Sequence, residues 1–534
     1  MSSLNDNHNN RSLACPPSTV PREGKSEVTA ERKGSEMTTL DRSLKTVTSQ
    51  RTWLLTKGKD ILIGVAVTGL GVLLAWLFRS AGTAQLATSI LVDLAMMVVI
   101  VNKPLNGLLI WFVVAPFTEL WINIPMGAGI PDMDFNRVVV AFLAIFMLAR
   151  AAIGKFRFAR ISLTDACIVA TTIGIMISAP LADDPKGILQ IAISTHFTTL
   201  VAYFYAKNLV RSRDDLHKLF LALVTFSLVA ALYAIYEHTT GNILFLPEGE
   251  SIADLNTVYS GSLRLIRGLL GRSGNFGRVL ASTIPITFYL FFESKDVKRK
   301  VLLVGMLIVQ AYGMFLTYNR TSWYALLIGL SILPVFYPQF RKVYVVIALI
   351  AGVTLWATWD QLNESEIVQE RVNEKTEDYN GRTPRWQAGW NMWKAKPIQG
   401  WGFGRFEEES GRFRTDGGNR NLRAIENDYL HILVGSGLIG FIPYLLFLLV
   451  PLVNSVRLFI KARAPDQPGF AKPETIAIYW ATILSFAIGS YTQVQTQLIV
   501  KMIPFAVAGA VVGSHEHLLR RSSRVSPPEP AQGT

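Results

Sequence analysis

Charged residues are scarce in this sequence. Asp, Glu, Lys and Arg make up 17% of the 534 residues, whereas half of the residues are hydrophobic. A soluble domain normally carries about a quarter charged residues. The charges gather near the two ends and in short runs between apolar blocks. The composition therefore argues against an ordinary soluble protein and favours a helical membrane protein.

Cysteines, nucleotide-binding motifs and metal-ligand motifs are also rare. Cys15 and Cys167 lie in unlike surroundings, which argues against a disulfide framework or a cysteine metal site. The glycines near residue 400 lack the Lys-Ser/Thr of a phosphate-binding loop. Asp132-Met133-Asp134 spells a D-x-D metal motif, but a loop carboxylate pair without a metal is the preferred interpretation. We expect neither a metal nor a cofactor.

The net charge of +13 does not by itself indicate a nucleic-acid partner. Most Lys and Arg residues flank apolar blocks, where the positive-inside rule explains them. We therefore expect membrane lipids, and no nucleic acid, around this chain.

Apolar blocks of about 20 residues, the length of a membrane-spanning helix, recur along the chain. They predict an all-α fold: a polytopic transmembrane helix bundle of about 14 spans with a large helical extracytoplasmic loop. The predicted spans lie near 60–78, 84–101, 105–122, 136–153, 164–181, 188–207, 216–236, 276–293, 300–317, 322–338, 342–359, 430–453, 476–494 and 496–514.

The alternation of Lys- and Arg-rich connections predicts a multi-pass protein with both termini in the cytoplasm. Residues 1–59 are predicted to be a disordered cytoplasmic tail. Residues 60–514 are predicted to form the transmembrane domain, and 515–534 a second disordered cytoplasmic tail. This topology places 360–427 outside, as a loop too long for a mere connector.

The segment 360–427 shows internal order. Thr383 can cap a helix that Pro384 begins and Pro397 ends. Three tryptophans, Trp386, Trp390 and Trp393, then fall on one helix face. Such a face suits a helix in the lipid headgroup region, and the alternative is a helix packed on the protein itself.

Four sequence stretches carry a family resemblance. GRTPRWQAGWNMWKAKPIQGWGFGRF and ENDYLHILVGSGLIG, preceded by YNRTSW and RGLLGRSGNFG, resemble the bacterial O-antigen ligase and polymerase superfamily over roughly residues 160–515. The resemblance implies a glycosyltransferase of the bacterial inner (cytoplasmic) membrane. Such an enzyme moves or polymerises a glycan from undecaprenyl diphosphate onto an acceptor hydroxyl at the periplasmic face, in O-antigen or exopolysaccharide assembly. The implied partners are the lipid-linked glycan and an acceptor glycan or lipid.

The candidate catalytic residues are Arg320 and Glu426. Arg320 follows an apolar span at its outer end, and a guanidinium can grip the oxygens of a departing diphosphate in pairs. Glu426 stands where many ligases of the superfamily have a His that is proposed as the base, and His431 is no direct replacement. Glu426 would act as the base or orient the acceptor. The alternative for Arg320 is an arginine that extends to the membrane interface or pairs with a nearby carboxylate. The alternative for Glu426 is a carboxylate that the helix dipole stabilises.

The candidate substrate-binding residues share a predicted outer location. They are Arg267, Arg272, Asn275, Arg382, Arg385, Asn427 and Tyr429. Each candidate also has an alternative role without substrate contact. The arginines could lie in solvated loops, Asn427 could cap a helix, and Tyr429 could anchor the chain at the membrane interface.

Two other functions compete with this hypothesis. The first is a flippase or transporter of lipid-linked oligosaccharide, which about 14 spans would also suit. The second is a protein O-oligosaccharyltransferase. The sequence leaves ligase, polymerase and protein glycosylation open, together with the sugar, the stereochemistry and the oligomeric state.

Overall fold

The structure of the protein is a computed structural model, and the residues that it describes lie within Gly64–Thr534. The described residues are 82–118, 123–124, 133–178, 185, 187, 189, 192–243, 258–259, 263–264, 266–357, 382–416, 420–422, 424–462, 472–495 and 497–525. The predicted tail 1–59, the first predicted span and residues 526–534 lie outside them.

Helices dominate the described chain. They are α1 (Gly82–Asn102), α2 (Pro104–Thr118), α3 (Phe135–Ala152), α4 (Leu163–Ser178), a π-helix (Ala192–Phe197), α5 (Thr198–Leu209), α6 (Arg213–Thr240), α7 (Ser273–Glu293), α8 (Val297–Leu316), α9 (Arg320–Phe336), α10 (Pro338–Ala357), α11 (382–395), α12 (Arg405–Glu409), α13 (Asp428–Ala462), α14 (Pro473–Thr492) and α15 (Leu498–Val525). Two 3-10 turns, Gly268–Leu270 and Ser410–Phe413, complete the helical elements.

Strands contribute two short antiparallel pairs to the described chain. β1 (Asn123–Ile124) pairs with β2 (Met133–Asp134), and β3 (Val258–Tyr259) pairs with β4 (Leu263–Arg264). Asp134 then caps α3, because its side chain accepts a hydrogen bond from the Arg137 backbone N–H. The prediction of a helical membrane protein is confirmed.

Five described helices are long and apolar enough to cross a membrane. They are Phe135–Ala152, Arg213–Thr240, Val297–Leu316, Asp428–Ile460 and Pro473–Thr492. Shorter apolar helices lie at Ile90–Asn102, Pro104–Phe117, Leu163–Ser178, Arg320–Phe336 and Leu498–Ser514. Each predicted span after the first overlaps a helix, while the total of about 14 spans stays a prediction.

Small residues allow two close helix crossings in the bundle. A Cβ atom on Gly174 of α4 would lie 2.6 Å from the Cα of Gly440 on α13. Gly509 and Gly513, one turn apart on α15, contact the backbone of α5 at Tyr203 and Lys207. Backbones that approach this closely gain van der Waals contact, which drives helix association where water is absent.

Candidate functional site

Glu426 lies between two arginines of α11. Its Oε2 accepts a hydrogen bond from Arg382 Nε at 3.2 Å, and its Oε1 accepts one from Arg385 Nη1. The three side chains are 36%, 28% and 31% exposed for Arg382, Arg385 and Glu426. We call this group the arginine fork. It unites three predicted site residues, of which Glu426 lies more than 40 positions after the two arginines in the chain.

The residues after Glu426 begin α13. The side chain of Asn427 accepts a hydrogen bond from the Leu430 backbone N–H at 3.0 Å, which makes Asn427 a helix cap. Glu426 itself has a φ of 54°, a left-handed conformation that is uncommon for a residue with a side chain. The chain therefore turns sharply at Glu426, and the cap fixes the place of the turn.

The glycine turn after α11 pairs with a break in α13. Within α13, Gly437 has non-helical dihedrals, φ 58° and ψ −161°. Trp401 and Gly402 donate their backbone N–H groups to the carbonyls of Val434 and Gly435 at 2.8 and 2.9 Å. Leu438 N–H in return reaches the Pro397 carbonyl at 2.9 Å. Backbone groups freed by the break are thus satisfied by the turn, as buried backbone must be.

Glycine is required where these two backbones touch. Gly400 has a φ of 72°, and a Cβ there would lie 2.5 Å from the Gly437 nitrogen. The predicted run of glycines after Pro397 therefore serves close backbone approach. This contact fixes α11, and with it the arginine fork, against α13.

The tryptophan face of α11 packs mainly on the protein. Trp386 and Trp393 pack against a buried cluster that includes Met392, Ile425 and Val434. Trp390 is 45% exposed. Packing on the protein, one of the two predicted alternatives, therefore describes Trp386 and Trp393, and a position in the lipid headgroup region stays a prediction. Thr383, predicted as the cap of this helix, lies inside it.

A cavity of about 900 Å³ lies between α11 and the first turns of α13. Aromatic rings, amides and aliphatic side chains line it. Among them are Trp386, Trp390, Asn391, Asn427, Tyr429 and Leu433. Trp386 and the Tyr491 ring, at the end of α14, are 5.3 Å apart between centroids. Thr383, Trp386 and Asn427, which line this cavity, are the chain neighbours of Arg382, Arg385 and Glu426.

Arg320 is the first residue of α9 and is exposed. The side chain of Asn319 caps this helix by accepting a hydrogen bond from the Ser322 N–H at 2.9 Å. Tyr318 precedes the cap with a φ of 47°. Burial raises the pKa of Tyr318, so its phenol stays neutral near pH 7 and is not a candidate base.

The Arg267–Asn275 segment meets the start of α9. The backbone N–H groups of Arg267 and Gly268 donate to the buried carboxylate of Glu237 at 3.4 and 2.9 Å. Arg272, at the first position before α7, is exposed. A Cβ on Gly274 would lie 3.1 Å from the Asn319 amide nitrogen. The predicted Arg320 and Asn275 segments are therefore neighbours.

Arg278 was not predicted as a site residue. It is 2% exposed, and its Nη1 donates to Asn275 Oδ1 at 3.3 Å and to Gln495 Oε1 at 2.6 Å. Its Nη2 donates to Gln493 Oε1. We call these four residues the amide cluster. The overlooked signal was an arginine inside a predicted span, which is costly in a membrane and therefore marks a specific role.

Asp428 joins the amide cluster to the arginine fork. This carboxylate is fully buried and accepts from the Gln495 N–H at 3.0 Å and from the Tyr444 hydroxyl at 3.2 Å. Buried Lys501 lies 3.7 Å from it. Asp428 lies two residues after Glu426, so hydrogen bonds run from Asn275 through Arg278 and Gln495 to the segment that carries Glu426. His431, one turn further on, packs its ring against Phe403 at 5.1 Å.

Residues 303–445 match the family model of O-antigen ligase. The match supports membership of the O-antigen ligase superfamily. It runs from α8 into α13 and includes Arg320, the arginine fork, Asn427 and Tyr429. Arg267, Arg272 and Asn275 lie before the O-antigen ligase match. No curated protein matches the chain.

Proposed function

We propose that this protein transfers or polymerises a glycan from a polyprenyl diphosphate carrier onto an acceptor hydroxyl, in the assembly of O-antigen or a related polysaccharide. The family match supports glycan transfer. The observation that carries the finer proposal is the carboxylate of Glu426 between two guanidinium groups, in segments whose neighbouring residues line a cavity. The proposed location is the bacterial inner membrane, with this site at the periplasmic face.

The proposed reaction is a displacement at the anomeric carbon. The acceptor oxygen attacks that carbon, and the bond to the carrier diphosphate breaks with both electrons staying on the diphosphate oxygen. The acceptor proton passes to Glu426, a step that a positioned base accelerates by about 10²–10⁴-fold. Charge grows on the leaving oxygen, where fixed guanidinium groups stabilise it.

Each candidate residue has a proposed part in this reaction. Arg320, Arg382 and Arg385 hold the diphosphate, since guanidinium groups pair with phosphate oxygens and stay charged. Arg267 and Arg272 supply further positive charge toward the same diphosphate. Asn275 and Asn427 position their segments, and Tyr429 contacts the ligand in the cavity.

The test uses a strain that lacks the gene and is complemented with variants. Arg320→Ala and Glu426→Ala should each abolish long-chain or surface-attached glycan on gels, at membrane levels equal to wild type. Arg412→Ala removes a guanidinium that is 79% exposed beside the half-buried Glu409. It is the matched control and should restore glycan fully. Normal glycan from both site variants would remove the site assignment.

The same strains separate transfer from transport. A missing transferase leaves lipid-linked precursor on the outer leaflet, where periplasmic enzymes reach it. Precursor confined to the inner leaflet would instead support the flippase. Modified proteins in place of a modified glycan or lipid would support the protein O-oligosaccharyltransferase.

A further inference from the structure

The carboxylate of Glu426 already binds both arginines of the arginine fork. Each carboxylate oxygen accepts from a different guanidinium, one from Arg382 and one from Arg385. Phosphate oxygens bind arginine with the same charge-assisted geometry. An anionic ligand whose oxygens are to bind these same two N–H groups, on Arg382 Nε and Arg385 Nη1, must displace the carboxylate of Glu426.

The fork is accessible enough for such an exchange. All three side chains are about a third exposed, and ion pairs in contact with water hold weakly because solvent competes for the charges. A diphosphate carries more negative charge than one carboxylate, so it is the stronger partner for two guanidinium groups. The binding of Glu426 to the two arginines is thus weak enough for a diphosphate to displace its carboxylate.

The backbone beneath Glu426 is anchored, so the exchange involves the side chain. Asn427 is 8% exposed and caps α13. Asp428 is fully buried between Gln495, Tyr444 and Lys501. Glu426 keeps its place in the chain while its carboxylate changes partner.

We propose that Glu426 is an internal competitor for the anion site of Arg382 and Arg385, displaced by the diphosphate of the carrier. This inference rests on the proposed function. Displacement frees the Glu426 carboxylate to accept the acceptor proton, so the carrier binds before the base is available. After transfer, the carboxylate returns to the arginines and promotes release of the polyprenyl diphosphate.

Binding of farnesyl diphosphate to the full-length protein in lipid nanodiscs tests the competition. Glu426→Gln should bind this probe about threefold to thirtyfold more tightly than wild type, because a neutral amide competes poorly for guanidinium. Asp416→Asn, which alters the Arg414–Asp416 pair elsewhere in the same segment, is the matched control and should leave affinity unchanged.

A second variant separates competition from simple charge repulsion. In an Arg382→Gln background, Glu426 loses one of its two partners, so the gain from Glu426→Gln should shrink. Equal or weaker binding by Glu426→Gln alone would overturn the proposal. An undiminished gain in the Arg382→Gln background would also overturn it. Neither result bears on the proposed function, whose failure shows as normal surface glycan in the complemented strains.

Discussion

Two groups of charged residues in this molecule have similar chemistry and different surroundings. In the arginine fork, Arg382 and Arg385 meet the carboxylate of Glu426 at a surface that is about a third exposed. In the amide cluster, Arg278 is buried and bonded to the neutral side chains of Asn275, Gln493 and Gln495.

This difference in burial distinguishes residues that can exchange their hydrogen-bond partners from residues that cannot. An exposed guanidinium can exchange a carboxylate for a phosphate with little change in free energy, because water contacts it with either partner. A buried one loses several hydrogen bonds at once, since neither water nor lipid replaces them. We infer that the fork meets substrate while the amide cluster and Asp428 hold the framework.

The largest effect is expected from Asp428→Asn. This change leaves buried Lys501 without its neighbouring charge, which should cost about 3–5 kcal/mol of unfolding free energy. Thermal unfolding in detergent measures the loss. Combining Asp428→Asn with Lys501→Met should recover part of it, and a double variant as unstable as the single one would show that the pair is not the cause.

The next largest effect is expected on activity. Arg385→Ala should lower the rate of glycan transfer about 10²-fold by removing a cation from the leaving group, in the range known for single transition-state donors. The unfolding temperature should stay close to that of wild type. Arg412→Ala is the control, and an equal loss of transfer in both variants would contradict a specific role of the fork.

A smaller effect on stability is expected at two glycines. Gly437→Ala forces a Cβ against the Ile398 carbonyl at a φ of 58°, whereas Gly404→Ala has a φ of 89° and open space. A positive φ strains Ala at both positions by about 1–3 kcal/mol, so the clash with the Ile398 carbonyl is what sets Gly437→Ala apart. Gly437→Ala should therefore unfold at a clearly lower temperature than Gly404→Ala. Equal temperatures would argue against the close turn–helix contact.

The smallest effect is expected from Asp416→Asn. The hydrogen bond with Asp416 raises the pKa of Arg414, but the pair lies at an exposed position where water screens the charges. Calorimetry should find the same unfolding temperature as wild type. A marked decrease would show that exposed pairs in this segment are as structural as Asp428.

The helices could be predicted from the sequence because the hydropathy of a segment reflects whether that segment is buried in lipid. Phe135–Ala152 and Ser273–Glu293 begin within a few residues of the predicted spans. Helix α11 was also foreseen from Pro384 and Pro397, although Thr383 lies inside the helix rather than at its cap. Local patterns of polarity and proline suffice for such elements.

The sequence identified residues of the site by their chemical type, but it did not show which of them are in contact. Glu426, Arg382 and Arg385 were each candidates, but their pairing spans over 40 residues and depends on how the glycine turn meets the break at Gly437. Arg278 and Asp428 were overlooked, because their importance comes from burial beside Gln493 and Gln495. Tertiary packing creates that environment, and hydropathy does not encode it.

The central claim is that guanidinium groups at this site receive a departing diphosphate. Its most direct test is the release of polyprenyl diphosphate from a labelled carrier glycan by the purified protein in nanodiscs with acceptor. We predict release by wild type, at least about 10²-fold slower release by Arg382→Gln with Arg385→Gln, and unchanged release by Arg412→Ala. Release at the wild-type rate by the double variant would contradict the claim.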